Sequence, residues 1–105
     1  MVTAAFELKD TRGANSLPFS SVEDHQINYG DAIESDTGVF IRVQGTNGEP
    51  DYIYLRGEPS YIVIRYPDYF CIITLDAFKA EKKTSTRKSL TGERAVQIAV
   101  RTVSL

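Results

Sequence analysis

At 105 residues, with 42% hydrophobic and 25% charged positions, the chain has room for one domain built on a single modest core. Its formal net charge of −2 does not announce nucleic acid by bulk electrostatics, and one cysteine with one histidine excludes an intramolecular disulfide, a zinc-ligand cluster and a Cys/His nucleophile pair. No apolar run is long enough to span a bilayer and no leader peptide is visible, so with the lone Cys71 inside an apolar run a reducing, cytoplasmic setting without a membrane partner is expected.

Val2 to Lys9 reads as the first strand. Side chains alternate along a strand, so Phe6 and Leu8 share one side and Glu7 and Lys9 the other. The apolar pair is expected to face the core, which leaves the carboxylate and the ammonium on a polar face turned away from it. Such a pair is a common surface ion pair of little energetic weight. It also suits phosphodiester chemistry, with the carboxylate holding a divalent metal and the lysine offsetting charge on the phosphate. Asp10 to Leu17 follows as a loop rich in turn formers. Its Thr11, Arg12 and Ser16 suit either contacts to phosphate oxygens or plain solvation.

After Pro18 a helix is predicted from Ser20 or Ser21 to about Glu34, with hydroxyl caps, an acidic first turn and a stripe of Val22, Ile27 and Ile33. Gly30 counts against that helix. Gly38 to Val43 and Asp51 to Leu55 read as strands joined by a turn over Thr46-Asn47-Gly48-Glu49-Pro50. Ser60 to Tyr66 is nearly all apolar and is expected in the middle of a sheet. Tyr69 to Leu75 is a fifth strand, and a short helix follows from Asp76 to about Lys83. Thr91 is placed as the cap of a last helix running from Gly92 to about Val103. The tyrosines on the strands are expected to pack. Strand, helix, four strands and two helices in that order predict an α/β (α+β) domain spanning residues 1–105, with a single mixed β-sheet flanked by helices.

Charge is distributed unevenly. Lys79, Lys82, Lys83, Arg87 and Lys88 crowd one stretch, while most acidic residues precede position 60. That stretch is either a solvated basic surface or a set of DNA backbone contacts, where each neutralised phosphate adds affinity and salt dependence.

Taken together, Glu7-x-Lys9, Thr11, Ser16-Leu17-Pro18-Phe19 and His25-Gln26 resemble the catalytic half of the RecU-like Holliday junction resolvases, within the PD-(D/E)xK nuclease superfamily. The strands from Tyr61 to Ile73 resemble the paired strands downstream in that family, and the segment from Arg87 to Ala95 resembles ends of its phage-like members. The resemblance implies a restriction-endonuclease-like fold and Mg²⁺- or Mn²⁺-dependent hydrolysis of DNA during recombination, on four-way junctions, by a homodimer. It implies that Glu7 is the metal-binding carboxylate, with the Leu8 carbonyl as a second oxygen, that Lys9 is the catalytic lysine, and that Gln26 orients water, lysine or phosphate. His25 is expected to be structural.

The sequence departs from the family at one place. These nucleases take another acidic ligand, normally an Asp on a preceding strand, and none of the six residues before Glu7 is acidic. Asp10 would point away, and Glu23 and Asp24 suit a helix N-terminus. A truncated or split family member is therefore expected. The rival expectation is an inactive or incomplete DNA-binding or assembly module on the same fold.

Overall fold

The computed structural model describes residues 4–35, 38–44 and 50–105, with the backbone alone for 39–44 and 50–53. The expected strand start at Val2 and Thr3, most of the turn expected over Thr46 to Pro50, and the side chain of Tyr52 lie outside that description. The architecture is a mixed α+β fold. Strands β1 (Ala5–Asp10), β5 (Ser60–Arg65), β6 (Tyr69–Thr74) and β8 (Arg101–Ser104) form a mixed four-stranded sheet in the order β1-β5-β6-β8. β1 and β5 run parallel and the other neighbours antiparallel. β2 (Ser16–Pro18) pairs with β7 (Ser89–Thr91), and β3 (Val39–Gln44) pairs with β4 (Pro50–Leu55), so the single sheet expected is corrected to a main sheet with two small ribbons beside it, each of whose strands pairs, among the described residues, only with the other. The helices are α1 (Asp24–Glu34), α2 (Leu75–Thr84) and α3 (Gly92–Ile98).

One face of the sheet carries the core. Ile62 and Ile64 of β5 and Cys71 and Ile73 of β6 alternate inward and meet Phe19, Val22, Ile27, Leu75, Phe78, Leu90 and Ala95. As expected of its sequence, β5 lies in the sheet interior. The opposite face holds Phe6, Leu8, Tyr61, Val63, Phe70, Ile72 and Val103, none of them buried.

Four local expectations are corrected. First, α1 begins at Asp24, because Phe19–Ser21 is a 3₁₀ turn whose Phe19 enters the core. Second, β2 forms in the expected loop, since Leu17 pairs with Leu90 and both are buried. Third, the last helix stops at Ile98 instead of continuing to about Val103. The Val100 N–H donates to the Ile72 carbonyl at 2.8 Å, and the β-branched run that follows forms β8 on the edge of β6. Fourth, Phe6 and Leu8 do not face the core: they are 60% and 65% exposed, while Glu7 and Lys9 point toward α1.

Gly30 is what allows α1 to approach the sheet. A Cβ there would lie 2.7 Å from Leu75 Cδ2 and 3.5 Å from Ser60 Cβ. The Ser60 hydroxyl donates to the Gly30 carbonyl at 3.1 Å, and the Ser60 N–H donates to Glu34 Oε2. No helix among the described residues is long and apolar enough to cross a membrane.

Candidate active site

Glu7 and Lys9 sit two residues apart on the inner side of β1, and α1 crosses in front of them. The Gln26 Nε2 donates to Glu7 Oε1 at 2.7 Å, and Lys9 Nζ lies 3.4 Å from the same oxygen. The Gln26 Oε1 accepts from the Glu23 N–H at 2.9 Å, which closes the first turn of α1. With both ends of its amide engaged, Gln26 has a fixed orientation: it presents donors, not its oxygen, to Glu7. Both contacts fall on Oε1, so Oε2 is the oxygen through which Glu7 would hold a cation. The Lys9 and Glu7 side chains are 21% and 37% exposed, shielded enough to strengthen the pair yet open to a ligand.

Glu7 and Gln26 line a cleft of about 550 Å³ between β1, β5 and α1, with Ala5, Phe6, Tyr29 and Tyr61 on its walls, and Lys9 lies outside that lining. Sequence reasoning singled out neither this cleft nor the pairing of Glu23 with Gln26. The pairing was readable, because an acceptor side chain at the third helical position after a cap is the mark of a capping box. The cleft was not, because it needs the parallel pairing of β1 with β5.

The other expected site residues are dispersed. Thr11 is 9% exposed, and its Oγ1 is buried without a hydrogen-bond partner. Arg12 and Gly13 have φ of 55° and 87°, and the Ala14 N–H donates to the Thr11 carbonyl at 3.2 Å. They make a tight turn that leaves Arg12 in solvent, with its N–H donated to Asp10 Oδ1. Ser16 opens β2, where it pairs with Thr91.

The basic stretch sits at the C-terminal end of α2 and in the loop after it. Lys82 lies 3.6 Å from Asp24, so the first turn of α1 touches both the Glu7 site and this basic end. Lys79 is neutralised by both oxygens of Asp31, at 2.9 and 3.0 Å, a hydrogen bond that raises its pKa. Lys83, Arg87 and Lys88 are exposed, and the Lys88 carbonyl accepts from the Phe19 N–H. His25 is exposed, with Nδ1 3.1 Å from Glu23 Oε2.

For a divalent metal the donor set is sparse. Among the described residues no three of His, Cys, Asp and Glu lie together as a metal-binding group. Glu7 alone meets the one-carboxylate minimum of a Mg²⁺ site whose remaining positions go to water and phosphate oxygens. Comparison of the chain with protein-family models, with curated proteins and with solved structures gave no match in any of the three.

Proposed function

We propose that this domain is a Mg²⁺-dependent DNA endonuclease of the Holliday junction resolvase type, with a restriction-endonuclease-like fold, acting in the cytoplasm on phosphodiester bonds of branched DNA. The observation that carries the reading is the convergence of Glu7, Lys9 and Gln26, which come from two separate elements and meet at one carboxylate oxygen. Glu7 would hold the ion, which would supply Lewis-acid stabilisation of charge building on the phosphate. Lys9 adds a fixed ammonium beside that position, where it offsets negative charge without reorganising at the moment of reaction. Gln26 holds the carboxylate rotamer and so keeps Oε2 turned to the ligand. Arg12, Ser16, Lys82, Lys83, Arg87 and Lys88 would contact the DNA backbone from separate parts of the surface. Thr11 joins them only if the Arg12 turn opens, since its hydroxyl is buried.

The test is cleavage of a synthetic four-way junction in Mg²⁺ or Mn²⁺, with wild type beside Lys9→Ala. Cleavage by wild type and its loss in the variant, with junction binding retained, is the expected result. Equal cleavage by both would sink the assignment of Lys9.

Glu7 is joined by no second or third metal ligand in a metal-binding group among the described residues, which favours a second reading, a DNA-binding or assembly module that does not cleave. Its mark would be salt-sensitive junction binding, unchanged in Glu7→Ala, with no cleavage by either protein.

A further inference from the structure

The cleft beside Glu7 plays no part in the chemistry assigned to Glu7, Lys9 and Gln26. α1 turns His25, Gln26, Tyr29 and Ile33 to it, residues three and four apart on one helix face. The inner lining is apolar: Ile33, Ile62 and Leu75 are 3%, 3% and 1% exposed. The outer lining carries two ring side chains that reach solvent, His25 and Tyr29, the latter 45% exposed. At about 550 Å³ the cleft falls within the roughly 300–1,000 Å³ of ligand-binding clefts. The polar side chains on its lining are engaged within the protein. Gln26 bonds to Glu7 and Glu23, Ser60 to the Gly30 carbonyl, and His25 lies against Glu23. Among the described residues the cleft therefore offers a flat ring and an apolar floor, with no fixed set of donors and acceptors to read one pattern of hydrogen bonds.

We propose that this cleft receives one unstacked nucleobase of the DNA strand whose phosphate lies at Glu7. The inference rests on the nuclease reading for the place of that phosphate. Glu7 belongs to both halves of the site, because it lines the cleft and its Oε2 is the oxygen turned to a cation. A phosphate on that cation carries its base one sugar away. Phosphate and sugar suit the charged margin at Glu7 and Lys9; the planar, weakly polar base suits the apolar cleft. Tyr29 supplies the stacking face, with His25 one helical turn before it on the same side. Every base has a π-face, so such a seat tolerates sequence. It does not tolerate pairing: a base held in a duplex must first leave its stack, and one already loose at a branch or in a single strand enters at least cost. The cleft thus gives the site a preference for unstacked nucleotides.

The test is fluorescence-anisotropy binding of a short oligothymidylate against the same strand built from abasic sugar phosphates, with Ca²⁺ in place of Mg²⁺ to hold the complex before cleavage. Wild type is expected to bind the base-bearing strand about tenfold more tightly, as one base–aromatic stack contributes. Tyr29→Ala is expected to lose that preference, and Tyr29→Phe, which keeps the ring, to retain it, with unchanged circular dichroism in both. A strand carrying 5-iododeoxyuridine, irradiated in the complex, should cross-link to Tyr29 or His25. Equal affinity of wild type for the two strands, no binding of either, a preference that survives Tyr29→Ala, or a cross-link only to other residues overturns the proposal. None of these readouts needs cleavage, so the two readings fail separately. Junction cleavage without a base preference removes the base seat and leaves the nuclease. A base preference lost in Tyr29→Ala, without cleavage in Mg²⁺ or Mn²⁺, removes the nuclease and leaves the base seat on a DNA-binding module.

Discussion

Gln26 serves two elements at once, as acceptor for the Glu23 N–H and as donor to Glu7. Replacing it with alanine removes a helix cap and the donor that fixes the carboxylate. Gln26→Ala is expected to lower stability by about 1 kcal/mol, read from the urea midpoint. Junction cleavage should fall further than that stability loss explains, because Glu7 is then free to rotate. Gln26→Glu keeps the acceptor for Glu23 but sets a second carboxylate against Glu7. It is expected to be less stable than Gln26→Ala at neutral pH, and an equal or higher midpoint would show that the Gln26–Glu7 bond has little weight. At this scale the nearness of Glu7 and Lys9 was legible, since it follows from strand alternation alone. Which side of β1 faces the helices was not, because apolar Phe6 and Leu8 had the stronger local claim on the core.

Between elements, the close approach of α1 to the sheet rests on one missing methyl group. Alanine favours a helix over glycine by about 1 kcal/mol. At position 30, however, the new Cβ would lie 2.7 Å from Leu75 Cδ2, and Leu75 is 1% exposed, with little room to yield. Overpacking of this kind costs typically about 1–3 kcal/mol, so the steric term wins. Gly30→Ala is expected to destabilise by about 1 kcal/mol in equilibrium unfolding; a stabilised variant would mean that Leu75 repacks freely. Local signals read the caps well. Thr91 accepts from the Arg94 N–H at 3.2 Å, as its placement before Gly92 predicted. They misread the end of α3. Ala95, Ile98, Ala99 and Thr102 have helical spacing, but Val100 to Val103 also suits a strand, and the open edge of β6 decided between them.

For the whole molecule, the inner face of the sheet sets an alkaline limit on stability. Tyr66 is 1% exposed and donates its hydroxyl to the Leu90 carbonyl at 2.9 Å. Burial, with added repulsion from Cys71 and Tyr69, raises its pKa above the ordinary 10.0. Burial likewise pushes the Cys71 thiol above its ordinary 9.0, against a smaller opposing hydrogen bond with Thr102. Both groups keep their protons in the folded state after the unfolded chain has released its own. Their contribution is therefore intact at neutral pH and is lost as pH rises past the ordinary values and toward the folded ones. Urea midpoints are expected to fall steadily above about pH 9, and Tyr66→Phe to flatten that fall. At neutral pH the same variant should be less stable by about 1 kcal/mol, because the hydrogen bond from the Tyr66 hydroxyl to the Leu90 carbonyl is lost. A midpoint that does not move between pH 7 and 10 would show that neither group is coupled to folding.

The sequence by itself determined what depends on neighbours along the chain: a mixed α+β domain, most of the strands and helices, the cap at Thr91, the interior place of β5, and the side-by-side placement of Glu7 and Lys9. Alternation and helical spacing are local rules, and they hold wherever the backbone conformation is set locally. Tertiary structure decided the rest. The parallel pairing of β1 with β5 carried Glu7 under α1 and against Gln26, nineteen residues away. The same pairing turned Phe6 and Leu8 to the open face, and the free edge of β6 converted the end of α3 into β8. A strand has two faces, and only the layer that packs on it selects which becomes the inside.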